Sequence, residues 1–358
     1  MTITPTKPLT PSHLKGLLWT DVMYRATDLL TSVTYRYSPS TYHPCEQTLG
    51  FWEFLDRTVG EVDYSNCSED DVGELYVRYR AGQERAPFAD CRPYLEAVEN
   101  SGWVHPASAR VLELWAAHYA RLGLHNPGLS THQPPGLGLD EVIDLLMAAG
   151  LCLDLRNSGG PVYLDLTAAG LPLRQIVSAE GRPNYLACAL RELVPLVPLH
   201  DETVLLYDRG LEPDYVLLHK ALERLDGTVH RVSLGRVPVD GRITSARQGD
   251  WRTLSVRTLL DDVTSRHDEM TVRLGMRLYF IAKLGPGDRE SFRADLLERT
   301  MTRAERLLAA ATGATGDVEY LEPHRGVHQR VDPYRLTSGL LARHRDPPGA
   351  AMLAAVYT

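Results

Sequence analysis

The sequence has 358 residues, of which 44% are hydrophobic and 23% are charged, so the chain can bury one large core or two smaller ones. Its formal net charge of −8 argues against a strongly basic nucleic-acid surface, while leaving room for a local basic channel. No run approaches the roughly 18 apolar residues that span a membrane, and the polar N-terminal segment lacks the apolar stretch of a signal peptide. These features predict a cytoplasmic protein.

The five cysteine residues are scattered singly along the chain, without a Cys-x-x-Cys pair. Structural zinc sites and disulfide frameworks both require cysteines at characteristic spacings. The cysteine pattern therefore predicts neither of them.

The first predicted helix begins near Pro11 and continues through Leu30. Proline fits the first turn of a helix, and Thr10 or Ser12 can cap the free amides there. A helix start that carries lysine and histidine side chains can bind an anion. An ordinary capped helix after a proline-rich segment is the simpler interpretation of these residues taken alone.

The alternating run 33–37 predicts a strand, and helical spacing of apolar residues follows from 47 to 58 and again from 72 to 122. A further helix, 140–149, stops at a glycine. Beyond it, a predicted hairpin is followed from residue 175 onward by strands that alternate with helices, which favours a parallel α/β sheet. The predicted elements there are strands 151–155 and 161–166 joined by a hairpin turn at 157–160, strand 175–178, helix 185–193, strand 203–207, helix 215–225 and strand 231–237.

The last third of the chain is predicted to be helical, at 256–263, 269–284 and 292–312, and the apolar segment 349–358 is predicted to be a docked terminal helix. Ligands of parallel α/β sheets bind beyond the carboxyl ends of the strands. The opening helix and the loop 238–250 are expected at that edge.

Four places, in order, carry a family resemblance: 4–21, 113–124, 162–166 with 180–187, and 244–249 with 259–262. They resemble the HIGH region, the connective helix, the "V-x-L-D-L … D-G-T-P-T-Y-L" stretch and the KMSKS loop of arginyl-tRNA synthetases, which are class I aminoacyl-tRNA synthetases. The resemblance implies an α/β fold with a Rossmann-like parallel sheet, a helical insertion and a helical C-terminal part. The implied division is 1–60 and 151–262 for the two halves of the catalytic domain, 61–150 for the connective insertion and 263–358 for a helical region without an anticodon-binding domain.

The resemblance also implies a set of site residues. Those expected to act in catalysis are Lys7, His13, Ser245 and Arg247. Those expected to bind ATP, with or without Mg²⁺, are Thr10, Ser12, Lys15 and Gly249. Those expected to line the amino-acid pocket are Thr4, Tyr185 and Ala189, and no protein-bound metal is implied.

Several positions depart from the family pattern. Thr10 and Ser12 replace two residues of HIGH, and the KMSKS-like loop lacks its lysines. Lys7 matches the lysine that some family members place before HIGH, and a flexible point charge there can serve a triphosphate. Ala189 stands where the family has an acidic residue, so a buried arginine guanidinium would lack its partner unless Glu180 or Glu212 replaces it.

Three functions follow from this pattern. The first is activation of an amino acid other than free arginine as an adenylate, with transfer to an acceptor other than a cognate tRNA. The second is an ATP-independent transferase that takes its acyl group from the acceptor stem of an aminoacyl-tRNA and forms an amide or a cyclic dipeptide. The third is a non-catalytic regulator that keeps only the fold. Anticodon recognition and membrane association are not expected.

Overall fold

The computed structural model describes residues 3–37, 44–82, 85–243, 249–311, 317–326, 328–342 and 348–358. The helices in this part of the chain are α1 (Pro11–Asp28), α2 (Glu46–Thr58), α3 (Glu69–Ala81), α4 (Phe88–Ser101), α5 (Pro106–Leu122), α6 (Leu139–Ala148), α7 (Tyr185–Leu193), α8 (Glu212–Arg224), α9 (Val256–Thr264), α10 (Glu269–Arg277), α11 (Ala294–Ala310), α12 (Asp317–Leu321), α13 (Pro333–Leu341) and α14 (Ala350–Tyr357). A π-helical segment, Leu278–Lys283, continues α10.

The described strands form two small sheets. The first is antiparallel, with the order β1 (Cys152–Asp154), β2 (Val162–Leu164) and β3 (Arg174–Val177). The second pairs β4 (Thr203–Asp208) in parallel with β5 (Val229–Leu234), and α8 forms the crossover. The protein is thus a helix-rich α/β fold.

The predicted hairpin is confirmed as β1 and β2, whereas the expectation that strand 175–178 joins a parallel sheet is wrong, because β3 pairs antiparallel with β2. Within the described residues only β4 and β5 pair in parallel, so a Rossmann-like sheet is not confirmed. The turn at 157–160 reverses the chain at Gly159, whose φ of +73° favours glycine, so β2 returns antiparallel to β1. The predicted strand 33–37 is not a strand either. Its aromatic side chains pack inward, and the hydroxyl of Tyr37 donates to the backbone oxygen of Ile3 at 3.0 Å.

Helix α1 is buried over most of its length and organises the larger core. Pro11 occupies its first turn, as predicted, and the apolar side chains that follow are almost fully buried. The helix contacts α13, α14, the π-helical segment and β4. The predicted terminal helix is confirmed as α14, which packs on α1 through buried side chains.

Strand β4 separates two hydrophobic cores. Leu206 faces the larger core, which includes α1, whereas Leu205 and Tyr207 face a smaller core built from α6 to α8 and the antiparallel sheet. Successive side chains of a strand point to opposite faces, so one strand contributes to both cores. None of the helices in the described ranges combines the length and apolar character that crossing a bilayer requires.

Candidate functional site

The start of α1 is closed by a side-chain cap. The backbone amide of Thr10 donates to Nδ1 of His13 at 3.1 Å, in the manner of a capping box. Because Nδ1 accepts this hydrogen bond, the neutral imidazole carries its proton on Nε2. His13 is therefore a neutral donor at the positive end of a helix.

Positive charge is concentrated around His13. Burial, together with the nearby cations Lys7 and Arg236, lowers the pKa of His13 to about 3. Arg236 follows the carboxyl end of β5 and donates through Nε to Asp208 at the end of β4, at 2.8 Å. The carboxyl ends of the two parallel strands thus meet the start of α1, as the sequence predicted for a ligand-binding edge.

Lys7 is 6% exposed and lies against α3. Its ammonium group is 3.4 Å from the hydroxyl of Thr6 and 5.0 Å from the centre of the Tyr76 ring. An ammonium group over an aromatic face is stabilised by the ring's electron density. Lys7 is consequently held in one place beside the helix start.

Ser12 and Lys15, two of the predicted ATP contacts, make structural contacts. The hydroxyl of Ser12 accepts from the backbone amide of Val237 at 3.0 Å. Lys15 is 1% exposed and donates to the backbone oxygen of Gly287 at 2.6 Å. Burial lowers the pKa of Lys15 to about 8, with Asp288 opposing that change.

The predicted pocket residues lie against different cores. Tyr185 begins α7 and packs against the smaller core, where its ring is 6.4 Å from that of Tyr215. Burial raises the pKa of Tyr185. Ala189 is buried in the same core, whereas half-buried Thr4 belongs to the segment that enters α1.

The predicted KMSKS-like loop is described only at its end. Ser245 and Arg247 lie outside the described residues. Gly249 is buried with a φ of +86°, and a side chain there would come within 2.8 Å of the Arg252 guanidinium. A residue with a Cβ would therefore strain this turn.

Sequence reasoning did not identify two features of this region. Arg236 was missed, although its position just after a parallel strand is a known signal for ligand contact. The second feature is a small pocket of about 10 Å³ lined by Ile3, Leu9, Leu17, Tyr35, Tyr37, Trp115, Tyr119 and Leu129. Tyr35 and Tyr37 were interpreted as part of a strand, and no pattern in the sequence predicts a pocket there.

Comparisons with known proteins support one fold. No protein-family model matches the chain, and no curated protein matches its sequence. The structure is similar to that of arginyl-tRNA synthetase from Thermus thermophilus, with a TM-score of 0.58 and 16% identity over 99% of this chain and 69% of that one. A Campylobacter jejuni protein provisionally described as an arginyl-tRNA synthetase gives a TM-score of 0.45 at 13% identity, over 99% of this chain and 83% of that one.

The first of these similarities defines the fold of the chain. It extends over nearly every residue, so the predicted resemblance is confirmed as an arginyl-tRNA synthetase-like core at the level of the fold. Identity of 16% carries no information about the substrate. The reaction must be argued from the residues themselves.

Proposed function

We propose that this arginyl-tRNA synthetase-like core activates an amino acid as an adenylate and transfers the acyl group to an acceptor other than a cognate tRNA. The observation that carries the proposal is the start of α1, where His13 accepts the cap hydrogen bond through Nδ1 and Ser12 bonds to the backbone of Val237, next to Arg236. Adenylate formation develops negative charge on the α-phosphate and the leaving pyrophosphate. Fixed cations and a neutral donor stabilise that charge without reorganising.

Each residue would have a separate task. The Nε2–H group of His13 donates a hydrogen bond to a phosphate oxygen, and Lys7 supplies a point charge. In this proposal Ser245 and Arg247 neutralise phosphate charge, and Gly249 contributes to ATP binding. Tyr185 lines the amino-acid pocket in this proposal, and Ala189, in the same core, leaves an arginine side chain without the acidic partner that it would require.

ATP fits the residues around α1 better than a protein-bound Mg²⁺ does. The side chains at the helix start are cationic or neutral donors, and Asp208 is already bound to Arg236. Mg²⁺ is commonly bound through one or two carboxylates plus substrate phosphates. Any Mg²⁺ used by this protein would therefore arrive with the nucleotide.

A second candidate function, acyl transfer from an aminoacyl-tRNA without ATP, is favoured by the burial of Lys15. Its ammonium group is 1% exposed and bonded to Gly287, which reduces the charge available to a triphosphate. A transferase that receives an already activated acyl group needs no pyrophosphate site. This function shares the amino-acid pocket with the first and differs only in the donor.

Amino-acid-dependent exchange of pyrophosphate into ATP, measured across the twenty common amino acids, tests the proposal. We expect exchange with at least one amino acid other than arginine. Absence of exchange with every amino acid, together with acyl transfer from charged tRNA, would favour the second function. Absence of activity in both assays would favour a non-catalytic protein that keeps the fold.

Replacing Lys7 with alanine is expected to weaken nucleotide affinity more than tenfold, which corresponds to about 1.4 kcal/mol. The reason is the loss of a point charge beside the helix start. The matched control is Lys220→Ala, which removes a surface lysine paired with Glu223. Equal affinities of the two variants for ATP, measured by calorimetry, would exclude Lys7 from the site.

A further inference from the structure

Three metal-binding side chains from distant parts of the sequence meet beside the parallel sheet. Glu202 precedes β4, His230 lies in β5, and His328 lies in the segment 328–332 that precedes α13. One ligand atom from each can be chosen so that all three lie within 4.8 Å of one another. All three residues are half-buried, so an ion held there would be partly shielded from solvent.

The strand register explains why the first two residues meet. His230 is the partner of Val204 in the parallel pair, and Glu202 lies two residues before Val204 on the same face. The Nε2 atom of His230 is 3.6 Å from a carboxylate oxygen of Glu202. The ring centres of His230 and His328 are 3.9 Å apart.

We propose that Glu202, His230 and His328 bind a divalent transition metal ion of the Zn²⁺ class. Two imidazoles and a carboxylate suit Zn²⁺ better than Mg²⁺ or Ca²⁺, which prefer oxygen ligands. Within the described residues, Nε2 of His230 is buried and makes no hydrogen bond, so this nitrogen is available as a ligand. The sequence predicted no metal, because the two histidines are far apart in the chain and show no ligand spacing.

The geometry requires only a small adjustment. Ligand atoms about 2.0–2.2 Å from a tetrahedral ion lie roughly 3.3–3.5 Å from one another. The three side chains must therefore draw together by about 1 Å, which rotation about their χ angles can supply. The fourth position is left for a water molecule.

The surrounding contacts orient the cluster. The backbone amide of Gln329 donates to Oε2 of Glu202 at 3.1 Å, and Arg325 donates through Nε to the backbone oxygen of Gln329 at 3.1 Å. Such outer contacts fix the direction of metal ligands. A bound ion would consequently hold the segment 328–332 at the edge of the parallel sheet.

Arg330 is the charged residue that opposes the ion. It is partly buried beside Glu202, and within the described residues its Nη1 atom makes no hydrogen bond. Its positive charge competes with a cation for the carboxylate of Glu202. We therefore expect the Arg330→Gln variant to bind the metal a few-fold more tightly than the wild-type chain does.

Titration of the metal-free full-length chain with Co²⁺, followed by competition with Zn²⁺, tests the proposal. We expect one ion per chain, with the visible absorption of a tetrahedral Co²⁺ centre and no response to Mg²⁺. Zn²⁺ is also expected to raise the melting temperature, because it binds only the folded chain. His328→Ala and Glu202→Gln should each weaken binding at least tenfold.

The matched control is His267→Ala, which removes a histidine that contacts Glu298 and Glu305 without a second imidazole. It should leave the Co²⁺ titration unchanged. His328 lies in a turn and Glu202→Gln keeps the side-chain shape, so far-UV circular dichroism can confirm that both variants fold. Binding that survives in both variants, or the absence of a one-to-one Co²⁺ complex in the wild-type chain, would overturn the proposal.

Discussion

A buried ion pair joins α1 to α10. Arg277 is fully buried and donates to Asp21, which is 2% exposed. Asp21 also accepts from Arg25 and from the backbone amide of His125. Asp21 thus accepts three hydrogen bonds, so the helix that carries the candidate site is fixed by charge as well as by apolar packing.

Asp21→Ala is expected to destabilise the protein by about 3–5 kcal/mol, because it leaves the Arg277 guanidinium buried without its carboxylate. The control is Asp262→Ala, which breaks an ion pair between Asp262 and Arg266 on the protein surface. It should cost less than about 1 kcal/mol. Urea unfolding of both variants measures the loss in free energy of unfolding. Similar losses would contradict the special contribution of the buried Asp21–Arg277 pair.

The cap formed by His13 makes stability depend on pH. The folded-state pKa of about 3 is below the usual value of 6.5, so the unfolded chain binds the proton more readily between these values. The stability contributed by neutral His13 is therefore present above pH 6.5 and is lost as the pH falls toward 3. His13→Gln, which can keep the capping hydrogen bond, should reduce the loss of stability between pH 7 and pH 4.

Urea midpoints at several pH values measure this effect. The control is His200→Gln at an exposed histidine, which should keep the wild-type pH dependence. An unchanged pH dependence in His13→Gln would mean that the imidazole is not held neutral by its surroundings.

The end of β5 makes a close backbone contact that determines where Lys15 finds its partner. Gly235 donates to the backbone oxygen of Pro286 at 2.8 Å. A Cβ at Gly235 would lie 2.5 Å from the backbone carbon of Gly287, whose oxygen accepts from Lys15. Glycine is therefore required at position 235 because the backbone of Gly287 lies so close, and not because of the φ angle.

Gly235→Ala is expected to lower the free energy of unfolding by about 1–3 kcal/mol, because backbone must move to admit the methyl group. Gly287→Ala adds a methyl group to the other side of the same contact, where nothing lies within 4 Å. That control should remain close to wild type in a thermal melt. A tolerated Gly235→Ala would show that the two segments can separate.

Helix positions were well predicted from the sequence, because apolar spacing and capping residues are local signals. Helix α7 was predicted with its observed ends, Tyr185–Leu193, and the hairpin turn at 157–160 was identified from its glycines. Strand pairing was less predictable, since it depends on which distant segment lies alongside. Run 33–37 has the alternation of a strand, yet its tyrosines line a small pocket.

The candidate site was predicted only in part for a similar reason. The sequence identified His13 and Lys7 because a helix start is visible locally. It could not show that Lys15 bonds to Gly287, which lies 272 residues away. Nor could it show that Arg236 lies beside His13, since that proximity is created by the parallel pairing of β4 with β5.

The two cores provide a test of how the molecule unfolds. The chain has five tryptophans, Trp19, Trp52, Trp103, Trp115 and Trp251, and none belongs to the smaller core. Tryptophan fluorescence therefore reports on the rest of the molecule, whereas far-UV circular dichroism reports on both cores. Because β4 contributes side chains to each core, loss of one should disturb the other.

Leu190→Ala, in the smaller core, is expected to destabilise the protein by about 2–5 kcal/mol, because Leu190 is fully buried and its removal leaves a cavity. The tryptophan midpoint in urea should fall together with the circular dichroism midpoint if the shared strand couples the cores. Leu199→Ala, at a leucine that is 73% exposed, should change both midpoints little. If the dichroism transition of Leu190→Ala occurs at lower urea while the tryptophan transition is unchanged, the smaller core unfolds on its own. In that case β4 does not couple unfolding of the smaller core to α1.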